Sequence, residues 1–301
     1  MRDDVADTGR IDHDPRQWAL ALGRRYVAGP GGRIGLPMSY RVADRHGEYG
    51  LDGRYGVLGL LAQLALQAAA GATTVKAIRH RHPLLAVPTA IGGAALGAAT
   101  ASYLYSTRRG KFEVWTELLD QLDLRGHERV LDIGCGRGAV LLLAADRVPH
   151  GRAIGVDVWR RRDQVGNSRA ATEHNAILEG VADRVELVHA DARDLPFASE
   201  SFDVIVSNLT VHNIAGAEGR HQALREAVRV LRPGGRLRIV DFLGGRYVEP
   251  LRAAGCGDVT VCKLDGRMRF GSPVNAIVLV SARKPAQRAG SAGEGEDDER
   301  G

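Results

Sequence analysis

The sequence predicts an α/β fold with a mostly parallel seven-stranded sheet, preceded by two membrane-spanning helices. Three observations carry that expectation. Across residues 111–285 strand-like and helix-like patterns alternate, as βαβ units do when they build a parallel sheet covered on both faces. A glycine-rich turn, "LDIGCGRG" at 131–138, follows the first of those strands. In front of it stand two runs without a charged residue, 55–75 and 83–107.

The elements follow in order. Residues 1–54 are polar and rich in Gly, Arg and Asp, with "AGPGGRIGLP" reading as loop. Each uncharged run within 55–107 has the length of about 20 apolar residues that a membrane helix needs. Both are rich in Ala and Gly, so pairing into a hairpin is expected. Gly93 and Gly97 make a GxxxG step that permits close backbone approach, and Gln63 and Gln67 share one helix face from which they can hydrogen-bond inside the hairpin. Pro88 falls near the start of the second run, where it harms a helix least. The alternative is a soluble Ala-rich helix pair. A surface helix of that kind carries a polar face at every turn, and neither run has a charge. The loop "KAIRHRH" holds Lys76, Arg79 and Arg81. Arg41, Arg45, Arg54, Arg108, Arg109 and Lys111 flank the other ends, which by the positive-inside rule makes the C-terminal domain cytoplasmic.

From residue 111, Phe112, Trp115, Leu118, Leu119 and Leu122 recur at helical spacing. Strands are expected at "ERVLDIG", "GRAIGVDVW", "RVELVHADA", "FDVIVSNL" and "RLRIVDF". Helices are expected at "GAVLLLAADRV", "SRAATEHNAILEGV" and "GRHQALREAVRVLRPGG", the last with its own stop signal. A short helix at 248–254 precedes "DVTVCKL" and "NAIVLVSARK", close enough in sequence to form an antiparallel terminal pair. The tail 286–301 has no large apolar residue and reads as disordered.

Composition excludes several classes. The chain of 301 residues is 44% hydrophobic with a net charge of +5, and its basic clusters are short, so it carries no nucleic-acid footprint. Aromatics at 5% are too few for a base-stacking platform. Cys135, Cys256 and Cys262 form no CxxC pair, so neither a disulfide framework nor a metal site is expected. The first 20 residues are too acidic for a secretory signal.

Chemistry concentrates at the strand ends. Gly134, Gly136 and Gly138 let the backbone turn tightly against a ligand. The same turn fits the dinucleotide pattern through Gly134, Gly136 and Ala139, with a pyrophosphate on a helix N-terminus. Asp132 argues for another ligand: a carboxylate there repels a pyrophosphate and suits a cationic amino group. Asp157 ends the second strand, where a carboxylate accepts both ribose hydroxyls of either cofactor.

Taken together, "VLDIGCGRG", "GVDVW", "VHADARDLPF", "FDVIVSNLTVHNI" and "EAVRVLRPGGRLRIVDF" resemble the class I S-adenosylmethionine-dependent methyltransferases. The likeness is greatest to the subgroup of ubiquinone/menaquinone-biosynthesis and arsenite methyltransferases. It spans about 112–284 in the family's motif order and implies a Rossmann-like sheet. It further implies that 132–138, including Cys135, hold the methionine part of S-adenosyl-L-methionine. Asp157 would bind the ribose and Val158 would pack on adenine. Asp191 would accept from the adenine amino group, the Ala192 backbone would read the ring edge, and Asn208 would border the transferable methyl. Blander roles stand beside these. Asp191 and Asp194 also suit loop caps, Cys135 is a small turn residue rather than a nucleophile, and His189 is structural. Trp159 and "DQVGN" (163–167) serve either as a pocket cap or as the start of the next helix. His212 is the candidate base, or else it shapes the pocket. The fourth strand ends "SNLT", without the Asn/Asp-Pro-Pro-aromatic run or the Pro-Cys nucleophile of nucleic-acid methylation. A small-molecule or lipid acceptor is therefore expected, with the membrane as partner. Two rivals are an NAD-dependent oxidoreductase and a membrane-anchored protein that binds the cofactor without transferring its methyl.

Overall fold

A computed structural model describes residues 45–52, 56–161, 163–271 and 277–286. The polar segment to residue 44 and the tail from residue 287 lie outside the described residues. Helices α1 (Gly56–Arg79) and α2 (Pro83–Tyr105) form a hairpin, and the expected loop shrinks to residues 80–82. Both are long and apolar enough to cross a membrane. Their facing sides are polar: Gln63 Nε2 donates to the Leu96 carbonyl at 3.2 Å, Gln67 Nε2 to Thr100 Oγ1 at 2.5 Å, and Thr74 Oγ1 to Thr89 Oγ1 at 2.7 Å. Their outer sides are apolar, with Leu58 72% and Leu84 92% exposed. Of the GxxxG pair only Gly93 faces the partner helix, where a Cβ would sit 3.5 Å from that of Ala70. At Gly97 a Cβ would meet nothing within 4 Å, so no close approach there requires glycine.

The hairpin does not end in a linker. α2 runs through one π-helical turn (Ser106–Gly110) straight into α3 (Lys111–Asp120), so "RRGK" is helical. α3 buries Phe112, Trp115 and Leu119 against the following domain.

That domain is a seven-stranded sheet built from β1 (Arg129–Ile133), β2 (Arg152–Asp157), β3 (Val185–His189), β4 (Phe202–Asn208), β5 (Leu231–Asp241), β6 (Gly257–Lys263) and β7 (Val278–Arg283). The strand order is β3-β2-β1-β4-β5-β7-β6. Pairs from β3 to β5 are parallel, and β7 runs antiparallel to both β5 and β6. The connecting helices are α4 (Ala139–Arg147), α5 (Arg169–Leu178), α6 (Ala217–Val230) and α7 (Val248–Ala253). Leu131, Ile154, Ile205, Leu224 and Leu237 meet in the core. Near-continuous apolar runs in β1 and β4 are what burial on both faces requires.

One boundary differs from the sequence reading. α6 stops at Val230, and "LRPGG" belongs to the start of β5 rather than to the helix end. Pairing with β4 jumps from Leu231 to Arg236 while β4 advances only from Phe202 to Val204. The extra residues, which include a proline without an N–H and Gly234 at φ 78°, bulge out of the ladder. Between β1 and β4 the strand order reverses, which is where open sheets of this kind hold a ligand.

Candidate active site

A cavity of about 670 Å³ opens at the carboxyl ends of β1, β2 and β4. Its floor is the glycine turn. Gly134 and Cys135 both donate to the Val156 carbonyl, at 2.7 and 3.2 Å, which ties the turn to β2. Gly134 sits at φ 76° with the Thr210 side chain where a Cβ would go, so only glycine fits. Gly138, at φ 88°, starts α4 and is not on the cavity wall.

Asp157 is held by two backbone amides. Gly136 N–H donates to Oδ2 at 2.8 Å and Trp159 N–H to Oδ1 at 2.6 Å, leaving further lone pairs toward the cavity. Burial raises its pKa. Asp132 is only 1% exposed, and its Oδ1 has no protein partner. Burial first, and then the charge of Asp157, push its carboxyl up to about 8. Burial also pushes the Cys135 thiol far up, which fits a small packed residue and not a nucleophile.

Val158, Asp191 and Ala192 line the cavity beyond β2 and β3. Asp191 is already engaged: Arg193 donates from its backbone N and Nε to Oδ1 at 2.9 and 3.0 Å, and from Nη2 to Oδ2 at 2.7 Å. Those bonds hold its carboxyl below the usual range. Arg193 must therefore share Asp191 with any adenine amino group. His189 stacks on Trp159, rings 5.9 Å apart, and Trp159 Nε1 donates to the Gly136 carbonyl at 3.1 Å.

At the end of β4, Trp115 Nε1 donates to Asn208 Oδ1 at 2.8 Å, which fixes the amide at the cavity wall. His212 follows in a short 3-10 turn. Its Nδ1 lies 3.1 Å from Oδ1 of the fully buried Asp241, and its backbone N–H donates to Oδ2 at 3.1 Å. Phe242 meets the imidazole edge-to-face at 5.1 Å. Asp241 thus holds the backbone of the candidate base by a hydrogen bond, whereas Nδ1, although 3.1 Å from Oδ1, makes no hydrogen bond to it.

Every sequence-predicted site residue except Gly138 reaches this one cavity. Sequence reading missed Asp241 and a wall of residues from outside the motifs: Asp52, Tyr103, Lys111 and Phe270. Of the two roles considered for "DQVGN", the segment lines the cavity and does not itself start the helix. Ser168, just after it, caps α5 by accepting from Ala171 N–H at 3.2 Å, while Gln164 and Asn167 line the cavity. Gln164 Oε1 accepts from Arg137 N–H in the glycine turn at 3.1 Å. No group of three metal-ligating side chains is found among the described residues.

The sheet order and the acid-flanked glycine turn define an α/β domain that binds a nucleoside-containing cofactor at its switch point. Residues 131–239 match the family model described as a methyltransferase domain. The domain built on this sheet is a class I S-adenosylmethionine-dependent methyltransferase domain. Similar proteins include the 27-O-demethylrifamycin SV methyltransferase of Amycolatopsis mediterranei, 36% identical over 166 residues, which are 51% of this chain and 57% of that protein. The ubiquinone/menaquinone biosynthesis C-methyltransferase UbiE of Roseobacter denitrificans is 33% identical over 134 residues, 44% of this chain and 50% of its own. The demethylmenaquinone methyltransferase of Symbiobacterium thermophilum is 35% identical over 129 residues, 42% and 48% of the two chains. The chain spans about half the length of the curated relatives it matches. The residues present fit S-adenosylmethionine: the unpartnered Asp132 oxygen suits a cationic amino group, and Gly134, Cys135 and Gly136 line the cavity beside it.

Proposed function

We propose that the chain transfers a methyl group from S-adenosylmethionine to a small or lipid-like acceptor met at a membrane surface. The observation that carries this reading is the make-up of the cavity wall. Tyr103 and Lys111, from the helical path by which the hairpin enters the domain, line the same cavity as Asp132 and Asp157. The cofactor supplies an electrophilic methyl on a sulfonium. Asp157 binds the ribose hydroxyls, the 132–138 turn with Cys135 holds the amino-acid end, and Val158, Asp191 and Ala192 border the adenine. Asn208, locked by Trp115, borders the reacting centre.

His212 takes the acceptor's proton as attack proceeds. Asp241 faces Nδ1, which leaves Nε2 for the acceptor and stabilises the imidazolium that forms. The Asp132 carboxyl suits a cationic amino group rather than a dinucleotide pyrophosphate, which disfavours the oxidoreductase alternative; Asp157 would serve the ribose of either cofactor. The hairpin anchors the chain with its catalytic domain on the cytoplasmic side, and its polar inner face and apolar outer face support that placement in lipid.

The test uses the full chain in phosphatidylcholine nanodiscs with methyl-labelled cofactor and a bacterial lipid extract as acceptor source. Label should pass to an extractable lipid. His212→Ala should slow transfer by about 10²–10⁴-fold, the usual worth of a general base, with cofactor affinity retained. Cofactor binding without any labelled product would reduce the protein to a membrane-anchored binder. Deleting the first 110 residues is a poor test, because Asp52 and Tyr103 belong to the cavity wall.

A further inference from the structure

The cavity wall extends beyond the methyltransferase motifs. Tyr103, Lys111, Asp52 and Phe270 all lie outside residues 131–239, yet they wall the same cavity as Asp132 and His212. Three chain segments converge there: the hairpin's exit helix, the stretch 45–52, and the β6–β7 connection.

Their junction is held by interlocking contacts. Asp52 Oδ2 accepts from Lys111 Nζ at 2.7 Å and Thr107 Oγ1 at 2.8 Å, and Oδ1 accepts from Gln164 Nε2 at 2.8 Å. Tyr103 Oη donates to the Asp52 carbonyl at 2.7 Å. On the other side, the Phe270 N–H donates to Ser106 Oγ at 3.1 Å. The π-helical turn accepts this approach because Gly110 has no side chain where the Arg267 carbonyl packs. Arg267 then grips Glu117 of α3 with two bonds, at 2.6 and 2.8 Å. Walls fixed this firmly define the shape of a subsite.

Charge narrows its occupant. The Lys111 ammonium is neutralised by Asp52, so this end of the cavity presents no net charge. On the cavity wall as a whole the acidic Asp52, Asp157, Asp163 and Asp191 outnumber the basic Lys111, Arg160 and Arg193, which disfavours an anionic head. Beside the Asp52–Lys111 pair, Tyr103 and Phe270 contribute aromatic side chains to the same wall. The wall also stands where the hairpin leaves its apolar span, next to the exposed Arg108 and Arg109 that suit a headgroup region.

We propose that Tyr103, Lys111, Asp52 and Phe270 form the acceptor subsite, which takes the uncharged, hydroxyl-bearing head of a bilayer-resident amphiphile while its tail stays in lipid along the hairpin. This rests on the membrane methyltransferase reading above and adds the residues and the charge class of the substrate head.

The probe is hexadecanol carrying a diazirine beside its hydroxyl, in phosphatidylcholine vesicles holding the full chain, with adducts mapped by mass spectrometry. Adducts are expected on the peptides containing Tyr103 and Phe270. Phe270→Ala should cut them about tenfold, the equivalent of about 1.4 kcal/mol of lost contact, with cofactor affinity by calorimetry as the control for folding. A hexadecyl phosphate probe of the same design should label these peptides far less. Adducts confined to the outward faces around Leu58 and Leu84, with cofactor bound and the chain in the vesicles, would overturn the subsite and leave the methyltransferase reading standing. Equal labelling by the phosphate probe would overturn the charge assignment. A chain that neither partitions into the vesicles nor binds cofactor would overturn both.

Discussion

The hairpin and the sheet domain bury opposite chemistry. In the domain, Leu224 is 1% exposed and packs among Leu131, Ile205 and Leu237. In the hairpin, Leu84 is 92% exposed, while Gln67 and Thr100 turn toward each other. Water drives apolar surface inward. Lipid gives no such push and instead penalises unpaired polar groups. On the membrane reading proposed above the two regions would be folded for different solvents; one unbroken helical path joins them from α2 to α3.

The largest effect should separate them by a single kind of substitution. Leu224→Ala opens a cavity in the core and should cost about 2–5 kcal/mol of domain stability, read from the denaturant midpoint. Leu84→Ala should leave that midpoint unchanged and weaken partitioning into vesicles. If Leu84→Ala destabilised the domain as Leu224→Ala does, the hairpin's outer face would be packed against protein, and the contrast would fail.

A second effect belongs to the domain alone. The Asp132 carboxyl stands at about 8 against an ordinary 3.8, so the folded chain keeps a proton that the unfolded chain has already released between those values. Stability linked to Asp132 is therefore full below the ordinary value and declines as pH climbs toward 8. A cation at Oδ1 favours the ionised form, so cofactor binding near neutral pH should release protons and tighten as pH rises. Calorimetry in two buffers of different ionisation enthalpy reads that release. Asp132→Asn should abolish it and weaken binding roughly tenfold or more, from the loss of about 1.5–3 kcal/mol of charge-assisted bonding. Unchanged proton release in Asp132→Asn would remove Asp132 from the cofactor's amino group.

Legibility in the sequence follows the range of the interactions. The glycine turn, Asp157 and the strand ends could be read because each depends on residues near it in the chain. Gln63 and Gln67 could be read because helical periodicity alone puts them on one face. Asp241 could not, since it reaches His212 across 29 positions and only the adjacency of β4 and β5 brings them together. The Asp52–Lys111 pair spans 59 positions and depends on how the hairpin exit meets the domain, which no local pattern encodes. The loop-cap role open to Asp191 can be read because the Arg193 N–H it accepts is two residues on, whereas nothing in the motif says that the Arg193 guanidinium folds back over the same carboxylate. "LRPGG" was read as a helix stop because Pro and Gly punctuate. The strand pairing beyond them absorbs the interruption as a bulge instead.

The smallest effect tests the hairpin's interior. Gln67→Ala removes the bond to Thr100 and should loosen the helix pair by about 0.6 kcal/mol, the average for such bonds in membranes. The readout is unfolding of the full chain in mixed micelles. Thr100→Ala should cost a similar amount, and the double variant should cost less than the two singles added, because both remove one bond. Additive losses would mean that Gln67 and Thr100 act separately, each held by other neighbours. Thr100 does have such a neighbour, since its hydroxyl also donates to the Leu96 carbonyl at 2.9 Å. Gln63 donates to that same carbonyl. The three residues form one polar seam, and any shortfall from additivity should therefore extend to a Gln63→Ala, Thr100→Ala pair.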